Sequence, residues 1–154
     1  MRAPWALAVL CVPAFGQFES IELRFEGVGC ASCIESMPAR VKRMRGVESA
    51  DVDAAKGTLS IRLGSTNRVR LEQVRDAIQQ DGTKVKSARV LLRGAVSREA
   101  GKWTVQPVEG GARYAIEGPS GAAWKEGAAY RIEGEIESPA PGATLKAVSA
   151  APLP

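Results

Sequence analysis

From residue 18 onward, apolar and polar positions follow regular periods. Ile21, Leu23 and Phe25 alternate with Glu22, Arg24 and Glu26, the two-residue period of a strand with one buried face. Gly27-Val28-Gly29-Cys30-Ala31-Ser32-Cys33 interrupts the alternation and reads as a loop. Behind it Ile34, Met37, Val41 and Met44 recur at helical spacing, and Gly46 stops the run. Pro38 conflicts with that helix, because it donates no hydrogen bond and crowds the preceding turn; a bent or late-starting helix is expected. Val47 to Asp53 reads as a second strand, Ala54 to Gly57 as a turn, and Leu59, Ile61 and Leu63 as a third strand. Asn67 is the expected N-cap of a second helix, with Val69 or Leu71, Val74, Ala77 and Ile78 on its apolar stripe and Gly82 at its end. A strand from Val85 to Leu92 completes the order β-α-β-β-α-β.

Beyond Gly94 the helical period disappears. Short strand-like runs remain, at Trp103 to Val105, Tyr114 to Ile116, Tyr130 to Ile136 and Thr144 to Val148, separated by glycine-rich turns. Val90 to Val96 reads as one long strand shared by both parts, and Ser149 to Pro154 as a loose tail. The expected fold class is therefore α+β: a ferredoxin-like βαββαβ sandwich followed by a small all-β domain, for which an OB-like barrel is the candidate form. The expected divisions are a signal peptide at 1–16, the sandwich at 17–93 and the small β domain at 94–154. No internal repeat is visible.

Charge changes this picture only in part. The formal net charge is +4, but residues 17–94 carry 14 Lys and Arg against 10 Asp and Glu, and residues 95–154 carry 6 against 7. The second half has no basic stripe to neutralise phosphates and is a poor nucleic-acid binder. Trp103, Tyr114, Trp124 and Tyr130 are better read as core and rim residues than as a base-stacking surface. At the N-terminus, Arg2, the apolar run Ala3 to Val12 and the small residues of Ala14-Phe15-Gly16 read as a secretory leader cleaved after Gly16. The apolar run is too short to cross a bilayer, so the mature chain is expected to have no membrane span. Lipidation at Cys11 is the alternative, against which Leu10 stands where a small residue is expected. The expected location is periplasmic or secreted.

Once the leader is gone, two cysteines and no histidine remain. In an exported protein such a pair is commonly a disulfide. Cys30 and Cys33 are two residues apart at a strand-to-helix loop, where the first helical turn favours the thiolate, the species that binds metal. Two thiolates with no histidine select soft ions such as Cu(I), and structural zinc wants four ligands. Disulfide, thiol–disulfide exchange and metal binding are thus all open on spacing alone. The segment Gly27 to Cys33 resembles the G-M-T/H-C-x-x-C loop of heavy-metal-associated domains, found in copper chaperones, copper-transporting ATPases and periplasmic mercury-binding proteins. Residues 18–93 fit that family's element order.

The resemblance implies that Cys30 and Cys33 are the metal ligands and that the domain carries an ion, without enzymatic turnover. It also implies a metal-transporting ATPase or another metal-handling protein as partner. The expected function is binding, buffering or transfer of Cu(I) or a similar thiophilic ion outside the cytoplasm. Mercury(II) scavenging, a thiol–disulfide redox role and a purely interacting module are the rivals. Two departures stand out: Val28 replaces the family's Met, whose side chain packs beneath the loop, and Gly29 precedes the first Cys. Thr83 and Lys84 follow Gly82. Lys84 is expected to tune the site as a nearby cation; the equal alternative is that strand alternation turns Lys84 away and leaves Thr83 as the neighbour. Arg40, Lys42, Arg43 and Arg45 read as a solvated helix end, with docking to an acidic partner as the alternative. Met37 and Met44 read as core.

Overall fold

The computed structural model describes residues 16–154 apart from Pro141. All of the expected leader except Gly16 lies outside the described residues, Cys11 included. The first half runs β1 (Gln17–Glu26), α1 (Ala31–Lys42), β2 (Val47–Asp53), β3 (Thr58–Leu63), α2 (Leu71–Gln79) and β4 (Lys84–Glu99). Four antiparallel strands in the order β2-β3-β1-β4 form its sheet. The alternation read from sequence decides which face is inside: Ile21, Leu23, Leu59, Ile61, Val90 and Leu92 are all buried. Met37 and Val41 of α1 and Val74 and Ile78 of α2 close over them.

The chain continues as β5 (Lys102–Val105), β6 (Tyr114–Glu117), β7 (Ala129–Glu137) and β8 (Thr144–Pro152). These strands do not make a sheet of their own. β4 pairs with β1 along one edge and with β7 along the other, while its last residues, Val96 to Glu99, pair with β5. β5 pairs with β6, β6 runs parallel to β8, and β8 pairs with β7, so the strands from β4 to β8 close into a ring. The 93/94 division expected from the sequence falls inside β4. Phe18, Leu92 and Ile132 stand side by side in register on β1, β4 and β7 and are all buried, so the hydrophobic core runs from one half into the other. Where the β7–β8 register shifts, past the extra Val148 of β8, a Cβ on Gly134 would lie 2.6 Å from the Lys146 carbonyl oxygen, so only glycine lets β7 and β8 approach there.

Three expectations need correction. Of the bent or late-starting helix expected, the late start does not occur: α1 begins directly after Cys30 with Pro38 inside it, and Met37 and Val41 on either side of the proline are buried. Asn67 does not cap α2, which starts at Leu71 with Arg70 as N-cap, the Arg70 N–H donating to Gln73 Oε1 at 3.1 Å. Asn67 is instead buried: Nδ2 donates to the carbonyls of Phe18 (2.8 Å) and Gly64 (2.7 Å), and Oδ1 accepts from the Val69 N–H. Asn serves turns and caps by the same side-chain chemistry, so its presence alone does not separate the two. Nor is Ser149 to Pro154 a loose tail, because β8 pairs with β7 as far as Pro152 and the Leu153 N–H donates to the Ala129 carbonyl.

The second half also holds α2 from outside. Glu72 accepts from the Ala112 N–H at 2.6 Å, Arg75 donates to the Pro139 carbonyl at 2.8 Å, and Arg70 donates to that of Gly110 at 3.2 Å. Among the described residues no helix is long and apolar enough to cross a membrane.

Candidate functional site

Where β1 ends, the chain leaves the sheet through Gly27, whose φ of +73° favours glycine, and reaches Cys30 in an extended conformation. Val28 in this loop is half-buried and packs against the core. Cys30 is the N-cap of α1. The Cys33 N–H points at the Cys30 sulfur at 3.1 Å and at its carbonyl at 3.2 Å, and Ser32 Oγ lies 3.3 Å from the same sulfur. No acidic residue stands in the first turn, so the positive end of the helix dipole faces the sulfurs unopposed. Cys30 is exposed and Cys33 half-buried. Their Cα atoms are 5.2 Å apart and the sulfurs are joined as a disulfide. This is the oxidised form of the pair; only the two thiolates released on reduction can hold a soft ion.

The opposite side of Cys33 is held by Arg40. Its guanidinium donates to the carbonyls of Cys33 (3.1 Å) and Ala77 (2.9 Å) and to the Asp81 carboxylate (2.8 Å). Ser36 Oγ donates to the same Cys33 carbonyl at 2.9 Å. Asp81 in turn accepts from the Thr83 hydroxyl at 2.5 Å and from its N–H at 3.0 Å. The Thr83 hydroxyl is the main cause holding the Asp81 carboxyl below its usual range, and Arg40 acts in the same direction. A shallow groove lies beside Cys33, lined by Ser32, Ser36, Arg40, Gln80 and Asp81.

These positions redistribute the roles expected of the basic and loop residues. Lys42, Arg43 and Arg45 are exposed as expected, whereas Arg40 is tucked between α1 and the end of α2, its side chain 17% exposed. The α2–β4 loop does meet the cysteine loop, but through Asp81. Thr83 is buried against Asp81, and Lys84 is exposed, in register with Glu26 where β1 ends and β4 begins, and absent from the groove. Arg40 is thus the cation beside the pair. Sequence reasoning missed Asp81 and misread Arg40. The available signal was the helical stripe itself, since Cys33, Met37 and Arg40 succeed one another at spacings of four and three. Met37 is buried in the core and Met44 packs against it. Tyr114 and Tyr130 are buried, with Trp124 edge-on to Tyr130, so these aromatics fill the second half instead of offering a flat surface. Among the described residues no three His, Cys, Asp or Glu side chains converge, and the sulfur pair stands without a harder donor set around it.

Comparison with known proteins covers this part of the chain. A profile of the heavy-metal-associated domain matches residues 22–84. The copper chaperone CopZ of Staphylococcus haemolyticus (strain JCSC1435) is 33% identical over 64 residues, which are 42% of this chain and 93% of that protein. CopZ of Staphylococcus aureus (strain JH9) is 32% identical over 60 residues, 39% of this chain and 87% of that protein. Among solved structures, a CopZ metallochaperone is 30% identical with a TM-score of 0.39, covering 43% of this chain and 97% of its own. The N-terminal domain of a potential copper-translocating P-type ATPase from Bacillus subtilis, in the Cu(I)-loaded state, is 25% identical with a TM-score of 0.40, covering 45% and 85%.

Proposed function

Because the chain belongs to the heavy-metal-associated domain family, we propose that it is an exported carrier of Cu(I), which it takes up and passes on through Cys30 and Cys33. The observation that carries this reading is the pair itself: two sulfurs at the N-terminus of α1, one exposed and one half-buried, with no cluster of three or more His, Cys, Asp or Glu side chains among the described residues to hold a harder ion. Two thiolates suit a soft ion of low coordination number. Cargo would pass by thiolate exchange, each new sulfur bond to the ion replacing an old one, and the chain itself would catalyse no chemical conversion. A membrane metal transporter bearing a domain of the same family is the fitting partner. Export rests on the leader features at residues 1–16, and cleavage after Gly16 would leave the first strand, beginning at Gln17, whole. The ring of strands from β4 to β8, with its parallel β6–β8 pair, supports reading the second half as an OB-like unit. The disulfide supports a second reading, a thiol–disulfide exchange protein.

The test is native mass spectrometry of reduced protein offered Cu(I), Hg(II) and Zn(II) in competition. One Cu(I) per chain is expected, with Zn(II) excluded. Cys30→Ser and Cys33→Ser should each abolish tight binding, and air-oxidised protein should take up nothing until reductant is added. Full affinity in the double serine variant would overturn the proposal. A preference for Hg(II) would replace copper with mercury as the cargo. No metal bound, together with rapid turnover of a disulfide substrate, would establish the redox reading instead.

A further inference from the structure

We infer that Arg40 is the positioning residue of the metal pair, holding Cys33 as the fixed ligand while Cys30 remains the mobile one. This rests on the carrier reading and assigns the site a residue outside the Cys-x-x-Cys motif. The two cysteines are held very differently. Cys30 is exposed and follows Gly27 and Gly29, where a side chain would meet nothing within 4 Å. Among the described residues its sulfur has partners in Ser32 and Cys33 of the same turn. The Cys33 carbonyl, by contrast, accepts from Arg40, which reaches across to the Ala77 carbonyl on α2 and to Asp81 in the turn that follows it. The first turn of α1 is thereby tied to the end of α2, which the second half of the chain grips through Glu72 and Arg75. Asp81 is in turn held by both donors of Thr83. A planar guanidinium donates to three acceptors in fixed directions at once; an ammonium on a flexible stem does not. Cys33 therefore arrives oriented, and exchange of cargo opens and closes at Cys30.

Positioning and simple charge make opposite predictions, which allows a decisive test. A positioning residue favours every state in which the sulfurs are held together, the metal complex and the disulfide alike. A residue acting only by its charge favours thiolates and the anionic metal complex, and disfavours the neutral disulfide.

The experiment uses the full mature chain and its Arg40→Ala, Arg40→Lys and Asp81→Asn variants, with Arg43→Ala as an exposed control. One arm measures Cu(I) affinity against a competing chelator. The other, at one fixed pH, equilibrates the protein with glutathione: two glutathione thiols reduce the disulfide, giving the dithiol and one glutathione disulfide. Arg40→Ala should weaken Cu(I) binding about tenfold and shift the exchange equilibrium about tenfold toward the dithiol, a rise of about 30 mV in potential. Arg40→Lys should restore neither, Asp81→Asn should move both part of the way, and Arg43→Ala should leave both unchanged. Thermal unfolding identifies any variant that fails to fold, and Asp81→Asn, which keeps the side-chain shape, then carries the test. Weaker Cu(I) binding with a more stable disulfide, or full rescue by lysine, would overturn positioning in favour of charge. Unchanged values in both arms would overturn any role. If wild type binds no Cu(I), the carrier reading fails, while the glutathione arm still decides whether Arg40 positions the pair.

Discussion

At the scale of single residues, polar side chains that reach between distant elements tie this protein together. Glu19 on β1 reaches Arg93 on β4 and Arg131 on β7, the latter at 2.8 Å, with its own side chain 18% exposed. Burial raises its pKa, but hydrogen bonds from Arg131 and Arg93 outweigh burial and leave it below the usual carboxylate value of 4.5. A carboxylate with a lowered pKa stabilises the fold above its unfolded value and loses that contribution as pH falls through the folded value. Glu19→Gln should therefore lower stability at pH 7 by about 1.5–3 kcal/mol, the range for hydrogen bonds to charged groups. The gap from wild type should narrow as pH drops below 4.5. Thermal melts at pH 7 and pH 3 check this, and a gap that persists undiminished at pH 3 would contradict it. Residue chemistry alone foretold the cysteine pair, because spacing and helix position are local properties. It did not foretell Asn67 or Arg40, whose roles depend on acceptors that are far off in sequence.

Among the elements, β4 has the largest consequences. It completes the first sheet, starts the ring, and is paired on both edges from Ser87 to Arg93. Its inward residues are consequently buried by partners from both halves, as the row Phe18, Leu92, Ile132 illustrates. Ile132→Ala should cost about 2–5 kcal/mol, the usual range for emptying a fully buried aliphatic site. Although Ile132 lies in the second half, the loss should appear in the first as well. Amide exchange in α1 and α2 should accelerate in parallel with exchange in β7. Acceleration confined to β7 and β8 would show two independent units instead. The strand runs were legible from alternation, including the long strand through residue 94. Their neighbours were not, since alternation reports which face is buried and says nothing about which strand lies alongside.

For the molecule as a whole, the core is one cluster running from Phe18 to Leu145, and it is assembled without any metal ligand. The reduced, metal-free chain should therefore unfold in a single cooperative transition, unlike a zinc finger, which needs its ion to fold. Circular dichroism, dominated by both halves, and the fluorescence of Trp103 and Trp124, both in the second, should report the same midpoint. No cooperative transition without metal, or two separated midpoints, would refute this. By itself the sequence determined the order of the first six elements, the buried face of β1 and β3 and the Cys-x-x-Cys pair at the start of α1, because periodicity, turn chemistry and a two-residue spacing act within a few residues. Only the tertiary structure decided that β4 lies between β1 and β7, that β8 continues to Pro152 and that Arg40 secures Cys33. Each of these depends on hydrogen bonds between segments distant in the chain, and a backbone edge or a guanidinium accepts many partners until packing selects one.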